Sequence, residues 1–175
     1  MNHQRFVFII TLIVAAAASR LLPHPPNVTP IAALALFGGA QFRDKRLAFI
    51  IPLAALLLSD FVLGLHGQML AVYAGFALVV CIGFVLRGKV RALPVAVAAL
   101  AGSCVFFLVS NFGVWAEGVL YPRTLAGLGA CYVAGIPFFR NALLGDAFYT
   151  ALLFGIAALA GRRFPVLRAP APAAA

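Results

Sequence analysis

Two carboxylates lie inside apolar stretches of the sequence, where an ionised side chain is costly. Asp60 lies in LLLSDFVL and Asp146 in ALLGDAFY. At the centre of a membrane such a residue costs about 2.5–3.5 kcal/mol on insertion scales, so it usually faces the protein interior and has a partner. Asp60 therefore either contacts a substrate or ion, or forms a structural ion pair with Arg20, Arg123 or Arg140. Asp146 lies six residues from Arg140, which is not helix-pair spacing, so its expected partner is on another helix.

Other side chains that could bind a ligand lie close to the same stretches. They are His24, Asn27, Asn111, Trp115, Tyr121 and Asn141. The three arginines could clamp an anionic group, because a guanidinium matches carboxylate and phosphate geometry. Trp115 and Tyr121 could stack on a ligand, and Asn111 shares a helix face with Trp115. Alternatively, Trp115 anchors the chain at a membrane interface.

The usual signatures of catalysis are absent from the sequence. It contains no P-loop, no GxSxG and no HExxH, which are the patterns expected of nucleotide hydrolysis, acyl transfer and metalloprotease chemistry. The spacing of His24 and His66 does not indicate a metal site. We therefore expect no enzyme activity, no metal and no cofactor.

Composition places these residues in a membrane protein. Of the 175 residues, 65% are hydrophobic and 10% are charged, whereas soluble domains carry about 25% charged residues. The net charge of +9 comes from basic residues clustered between apolar runs, a pattern that sets membrane topology. We therefore expect the lipid bilayer as a partner and no nucleic acid.

The apolar runs predict an all-α membrane protein, a bundle of six transmembrane helices with an additional short interfacial or re-entrant helix. The six predicted spans are 6–22, 30–42, 47–65, 68–86, 92–115 and 141–160. The additional short helix is 124–139, which glycines and Pro137 interrupt. Residues 1–161 form a single transmembrane domain, with 6–22 as an uncleaved span, and 162–175 form a disordered cytoplasmic tail.

Basic residues distribute unevenly between the two sides of this arrangement. With both termini cytoplasmic, ten of the thirteen lie inside and only Arg20, Arg123 and Arg140 lie outside, which satisfies the positive-inside rule. The candidate ligand-binding residues then gather in the outer half. We expect them to line one outward-facing cavity, with the N-terminus of a helix at Asn141 favouring an anion.

Several motifs carry a resemblance to a known family. They are RLLPHPPNVTPIAA (20–33), LLLSD (56–60), YPRTLAG (121–127), and IPFFRN with GD (136–146). These resemble small uncharacterised bacterial membrane proteins labelled putative transport proteins, over about residues 18–160. That family is similar to the substrate-binding (S) components of energy-coupling-factor vitamin transporters, six-helix proteins with a pocket toward the outside.

The resemblance implies a transport protein of the bacterial cytoplasmic (inner) membrane. It would bind a small polar or anionic metabolite, such as a vitamin or its precursor, and an energising ATPase module or another membrane protein could be its partner. The alternative is a non-transporting membrane subunit or assembly factor of a larger complex.

Overall fold

The computed structural model describes residues 2–168 and contains, within them, six α-helices and no strand. The helices are α1 (His3–Ala18), α2 (Ile31–Gln41), α3 (Lys45–Leu63), α4 (Met69–Val85), α5 (Ala92–Glu117) and α6 (Leu125–Arg163). Two short 3₁₀ turns, Ser19–Leu21 and Pro165–Leu167, follow α1 and α6. The predicted all-α class is confirmed.

Four helical segments are long and apolar enough to cross a membrane. They are His3–Leu21, Lys45–Leu63, Ala92–Glu117 and Leu125–Arg163. The other two helices, Ile31–Gln41 and Met69–Val85, are apolar but shorter. Large hydrophobic side chains such as Leu70, Leu93 and Leu125 are exposed on the bundle surface. Such a surface indicates a membrane protein whose helices contact lipid.

The short helix α2 forms the centre of the bundle. Ten of its eleven residues are buried, and it packs against each of the other five helices. Its closest neighbour is α4, where a Cβ atom added to Gly39 or Gly83 would collide with the backbone of the opposite helix. Small residues permit such close approach of helix backbones in membranes. α2 is only about 16 Å long, and the other five helices surround it.

Contacts between distant segments define the two ends of the bundle. Asn2 Nδ2 donates to the Val166 carbonyl oxygen (2.8 Å), so both ends of the described chain lie together. Arg87 lies at the same end and donates from Nε to the Gly39 carbonyl oxygen (3.0 Å). We call this the basic end; the loop end carries the connections 22–30, 64–68 and 118–124.

Arg87 secures the C-terminus of the central helix. Besides its bond to Gly39, it donates from Nη2 to the Phe42 carbonyl oxygen (2.6 Å), and its guanidinium lies 4.1 Å from the centre of the Phe84 ring. Burial lowers the pKa of Arg87 from its ordinary value. A cation there satisfies carbonyl groups that the helix leaves unpaired and complements the helix dipole.

The prediction for residues 124–160 is wrong. Instead of a short helix followed by a span beginning at Asn141, the chain forms the continuous 39-residue helix α6. Asn141 lies inside it, so no helix N-terminus is present there. The expected interruptions have a packing role: Gly135 fits against Phe107 and Asn111 of α5. At about 58 Å, α6 is roughly twice as long as the hydrocarbon core of a bilayer is thick.

Part of the expected disordered tail is also ordered. Arg162 and Arg163 complete α6, and Arg168 donates from Nε to the Gly161 carbonyl oxygen (2.9 Å). Residues 169–175 of that tail lie outside the described residues. At the other terminus, Ile9 and Ile13 are buried in the core, so α1 is part of the bundle.

Candidate ligand-binding site

Asp60 forms an ion pair near the loop end. Arg20 Nη1 lies 2.9 Å from Asp60 Oδ1, and Tyr73 donates its hydroxyl to Asp60 Oδ2 (2.9 Å). Arg20 also donates to the Ser59 hydroxyl. The Asp60 side chain is 2% exposed and that of Arg20 is 11% exposed. The predicted pairing of Asp60 is confirmed, and it joins the end of α1 to α3 and α4.

Asp146 has a different partner. Ser103 of α5 donates its hydroxyl to Asp146 Oδ2 (2.6 Å). Both residues are buried, and no ion pair to Asp146 occurs within residues 2–168. The expectation of a partner on another helix is confirmed, but that partner is a serine and not an arginine.

A cavity of about 350 Å³ opens between these two carboxylate clusters at the loop end. Its polar lining comes from five separate segments of the chain. These residues are Arg20, Asn27, Thr29, His66, Gln68, Ser103, Ser110, Asn111 and Asp146. Its apolar walls include Phe106, Phe107, Phe138 and Phe139. Convergent polar groups between apolar walls are the usual make-up of a small-molecule site.

Part of this lining has unused hydrogen-bonding capacity. Arg20 Nε and Gln68 Oε1 are buried and have no partner within the described part of the chain. Ile31 and Ala32, in the first turn of α2, also line the cavity, and no side chain caps that turn. The first N–H groups of a helix have no intrahelical acceptor and carry a partial positive charge. Among the buried atoms without a partner, the cavity therefore offers the Arg20 Nε donor and the Gln68 Oε1 acceptor, and the first turn of α2 adds N–H donors.

A family model described as "Family of unknown function (DUF6580)" matches residues 1–167. The chain belongs to this family. No curated protein and no solved structure matches it. The family description gives no activity, so the function has to be inferred from the residues of the cavity.

Four of the candidate residues of this DUF6580 member line the cavity: Arg20, Asn27, Asn111 and Asp146. Asp60 lies behind Arg20 and holds it in place. The other candidates do not line it: His24, Trp115, Tyr121, Arg123, Arg140 and Asn141.

Most of these outlying residues hold loops in place. Trp115 Nε1 donates to the carbonyl oxygens of Pro122 (3.1 Å) and Thr124 (3.2 Å). Arg123 Nη2 donates to the Glu117 carbonyl oxygen (3.1 Å). Asn141 and His24 bind carbonyl oxygens of the 22–30 loop, at Pro26 and Pro25. Arg140 is exposed on the surface of α6.

Sequence reasoning did not identify Gln68, Ser103 and Ser110 as site residues. Gln68 was detectable as a polar residue at the start of an apolar run. The two serines were not, because serine in an apolar helix commonly bonds to its own backbone. Ser110 does so here, with the Phe107 carbonyl oxygen. Within residues 2–168 no group of three His, Cys, Asp or Glu side chains could hold a metal ion.

Proposed function

We propose that this protein is a membrane transport protein that binds a small polar or anionic metabolite in the loop-end cavity. The observation that carries the proposal is the convergence of polar side chains from five segments on one cavity of about 350 Å³. Binding pockets for small molecules commonly measure about 300–1,000 Å³. The residues present would act by binding and not by catalysis.

The polar groups favour a ligand with a distinct anionic or acceptor end. Arg20 keeps Nε free after its Nη1 atom has bound Asp60, and the uncapped first turn of α2 adds N–H donors. These groups would face an acceptor oxygen of the ligand. Asn111 and His66 line the same space and would bind further polar groups, while the phenylalanine walls would cover an apolar part.

Topology supports access to this cavity from outside the cell. The basic end would lie in the cytoplasm by the positive-inside rule, with both termini there and six crossings of the bacterial inner membrane. The loop end then faces outward. This arrangement is the one found in the S components that the sequence resembles, and an energising ATPase module would be the partner.

The Ser103–Asp146 hydrogen bond lies between two cavities of the bundle. Both residues line the loop-end cavity, and both also line a second, larger cleft that extends toward Arg91 and Arg162 at the basic end. Separation of α5 from α6 at this hydrogen bond would connect the loop-end cavity with the cleft.

Binding can be tested with a mixture of candidate ligands. The purified protein is incubated with a pool of polar metabolites, and retained molecules are identified by native mass spectrometry. We expect one class of small metabolite to be retained by the native protein and by Arg140→Gln, whose site is outside the cavity. Asn111→Leu, which replaces a lining amide by an apolar group, should lose it. Equal retention by both variants, or no retained metabolite, would favour the alternative of a non-transporting subunit.

A further inference from the structure

Arg5 is a buried cation without an acidic partner among the described residues. Its residue is 5% exposed, and its Nη2 atom donates to Gln41 Oε1 (2.7 Å). Within residues 2–168 the ion pair between Arg20 and Asp60 is the only one. Removing a guanidinium from water is costly unless an anion accompanies it. A negatively charged group beside Arg5 would offset this cost, and residues 2–168 do not supply one.

A pocket of about 480 Å³ adjoins Arg5 at the basic end, and its charged lining residues are all basic. They are Arg5, Arg162 and Arg168, which α1, α6 and the segment after α6 contribute. Arg168 is held toward α6 by its bond to the Gly161 carbonyl oxygen. Three guanidinium groups with no carboxylate among the lining residues favour a phosphate group as ligand, because a guanidinium can donate two hydrogen bonds to phosphate oxygens.

A mainly apolar cleft, with Ser103, Asp146 and Thr150 among its lining residues, continues from this pocket along the side of the bundle. α5 and α6 pack together near the loop end, where the Phe107 and Phe139 ring centres are 4.6 Å apart. Toward the basic end a cleft of about 720 Å³ lies between them, with walls that include Val95, Leu100 and Leu143. The pocket and the cleft share four lining residues: Val90, Phe154, Ala158 and Arg162.

We propose that the basic pocket and the cleft together bind one anionic phospholipid. The phosphate would lie among Arg5, Arg162 and Arg168, and an acyl chain would occupy the cleft between α5 and α6. A free phosphate ion would leave the cleft empty. A phospholipid would place its phosphate in the basic pocket and its acyl chain against the apolar walls. The phosphate would lie at the opposite end from the metabolite cavity, whereas the cleft for the acyl chain reaches that cavity at Ser103 and Asp146.

Native mass spectrometry can measure the preference for anionic lipid. The protein in detergent is titrated with phosphatidylglycerol or with phosphatidylcholine, and the bound fractions are compared. We expect phosphatidylglycerol to bind in preference, and the preference to fall about fivefold for each neutralised arginine of the pocket. Arg162→Gln and Arg168→Gln are the test variants. Both residues are exposed, so we expect these variants to fold. Arg163→Gln is the matched control, since Arg163 is exposed, adjacent and outside both cavities.

A second pair of variants tests the acyl chain. Ala151→Phe places a ring in the cleft and should reduce binding of phosphatidylglycerol, while Ala134→Phe, on α6 but outside the cleft, should not. Inorganic phosphate tests for a free anion: if millimolar phosphate displaces the lipid completely and Ala151→Phe has no effect, the pocket holds a phosphate ion and the lipid proposal is wrong. Equal binding of the two lipids, or an equal loss in Arg163→Gln, also overturns it.

Discussion

Ser103 on α5 donates a 2.6 Å hydrogen bond to Asp146 on α6, and this pair lies on the wall of two cavities that extend toward opposite ends of the bundle. Replacing Ser103 by alanine leaves a buried carboxylate without that partner. The penalty for such a group is about 1–3 kcal/mol, and more when it is charged.

We therefore expect Ser103→Ala to lower the thermal unfolding temperature in detergent. Asp146→Asn should lower it by less, because the asparagine amide oxygen can still accept the hydrogen bond. Ser110→Ala is the control, because Ser110 bonds only to its own helix over a longer distance of 3.4 Å. Equal unfolding temperatures for Ser103→Ala and Ser110→Ala would show that the bond between α5 and α6 contributes nothing.

The Arg20–Asp60 pair should behave as a coupled buried unit. Loss of one partner of a buried ion pair costs about 3–5 kcal/mol, because the other charge remains uncompensated. Asp60→Asn and Arg20→Gln should each be strongly destabilising, and the double variant should be less so than their sum. Denaturant unfolding of the four proteins of this double-mutant cycle measures the coupling. Additive effects would show that the pair does not interact.

Tyr73 offers a smaller test of the same cluster. Its hydroxyl donates to the second oxygen of Asp60, and removal of one such bond to a charged group costs about 1.5–3 kcal/mol. We expect Tyr73→Phe to destabilise the protein by less than Asp60→Asn does. Tyr121→Phe is the control, since Tyr121 makes no side-chain hydrogen bond within the described residues.

The sequence is sufficient to predict the helical class and the need of Asp60 for a partner, because both follow from local composition. It does not identify which arginine pairs with Asp60. That choice depends on the 3₁₀ turn after α1, which brings Arg20 to α3.

The local sequence also does not predict that α6 is continuous. Pro137 and three glycines between residues 124 and 139 indicate interruptions in an isolated segment, since proline lacks an N–H and glycine is flexible. In the bundle, Gly127 and Gly135 are instead the positions where Pro122 and α5 approach the helix closely. Packing against other segments, which the local sequence does not reveal, thus determines that α6 is continuous. It also determines that Ser103 lines the cavity.

The close contact of α2 with α4 gives a prediction about glycine. A Cβ atom at Gly39 would collide with the Val80 carbonyl oxygen, whereas one at Gly129 or Gly155 would meet nothing within 4 Å. Overpacking a close-packed contact costs about 1–3 kcal/mol. Gly39→Ala should therefore lower the unfolding temperature. Gly129→Ala should be neutral or stabilising, because alanine is favoured over glycine in a helix by about 1 kcal/mol. Equal effects at both positions would contradict the contact.

Access to the loop-end cavity depends on the orientation of the chain in the membrane. Contacts such as Asn2 with Val166 place both ends of the described chain on one side, and the positive-inside rule predicts that this side faces the cytoplasm. Reporter fusions after Arg46, Arg91 and Arg163 should therefore report the cytoplasm, and fusions after Glu117 should report the exterior. The fusion after Arg46 is the most informative, since α2 has only eleven residues and must still carry the chain back across the membrane. An external signal there would show that α2 does not return the chain to the cytoplasm. The loop-end cavity could then no longer be assigned to the outside, and the transport proposal would lose its route of entry.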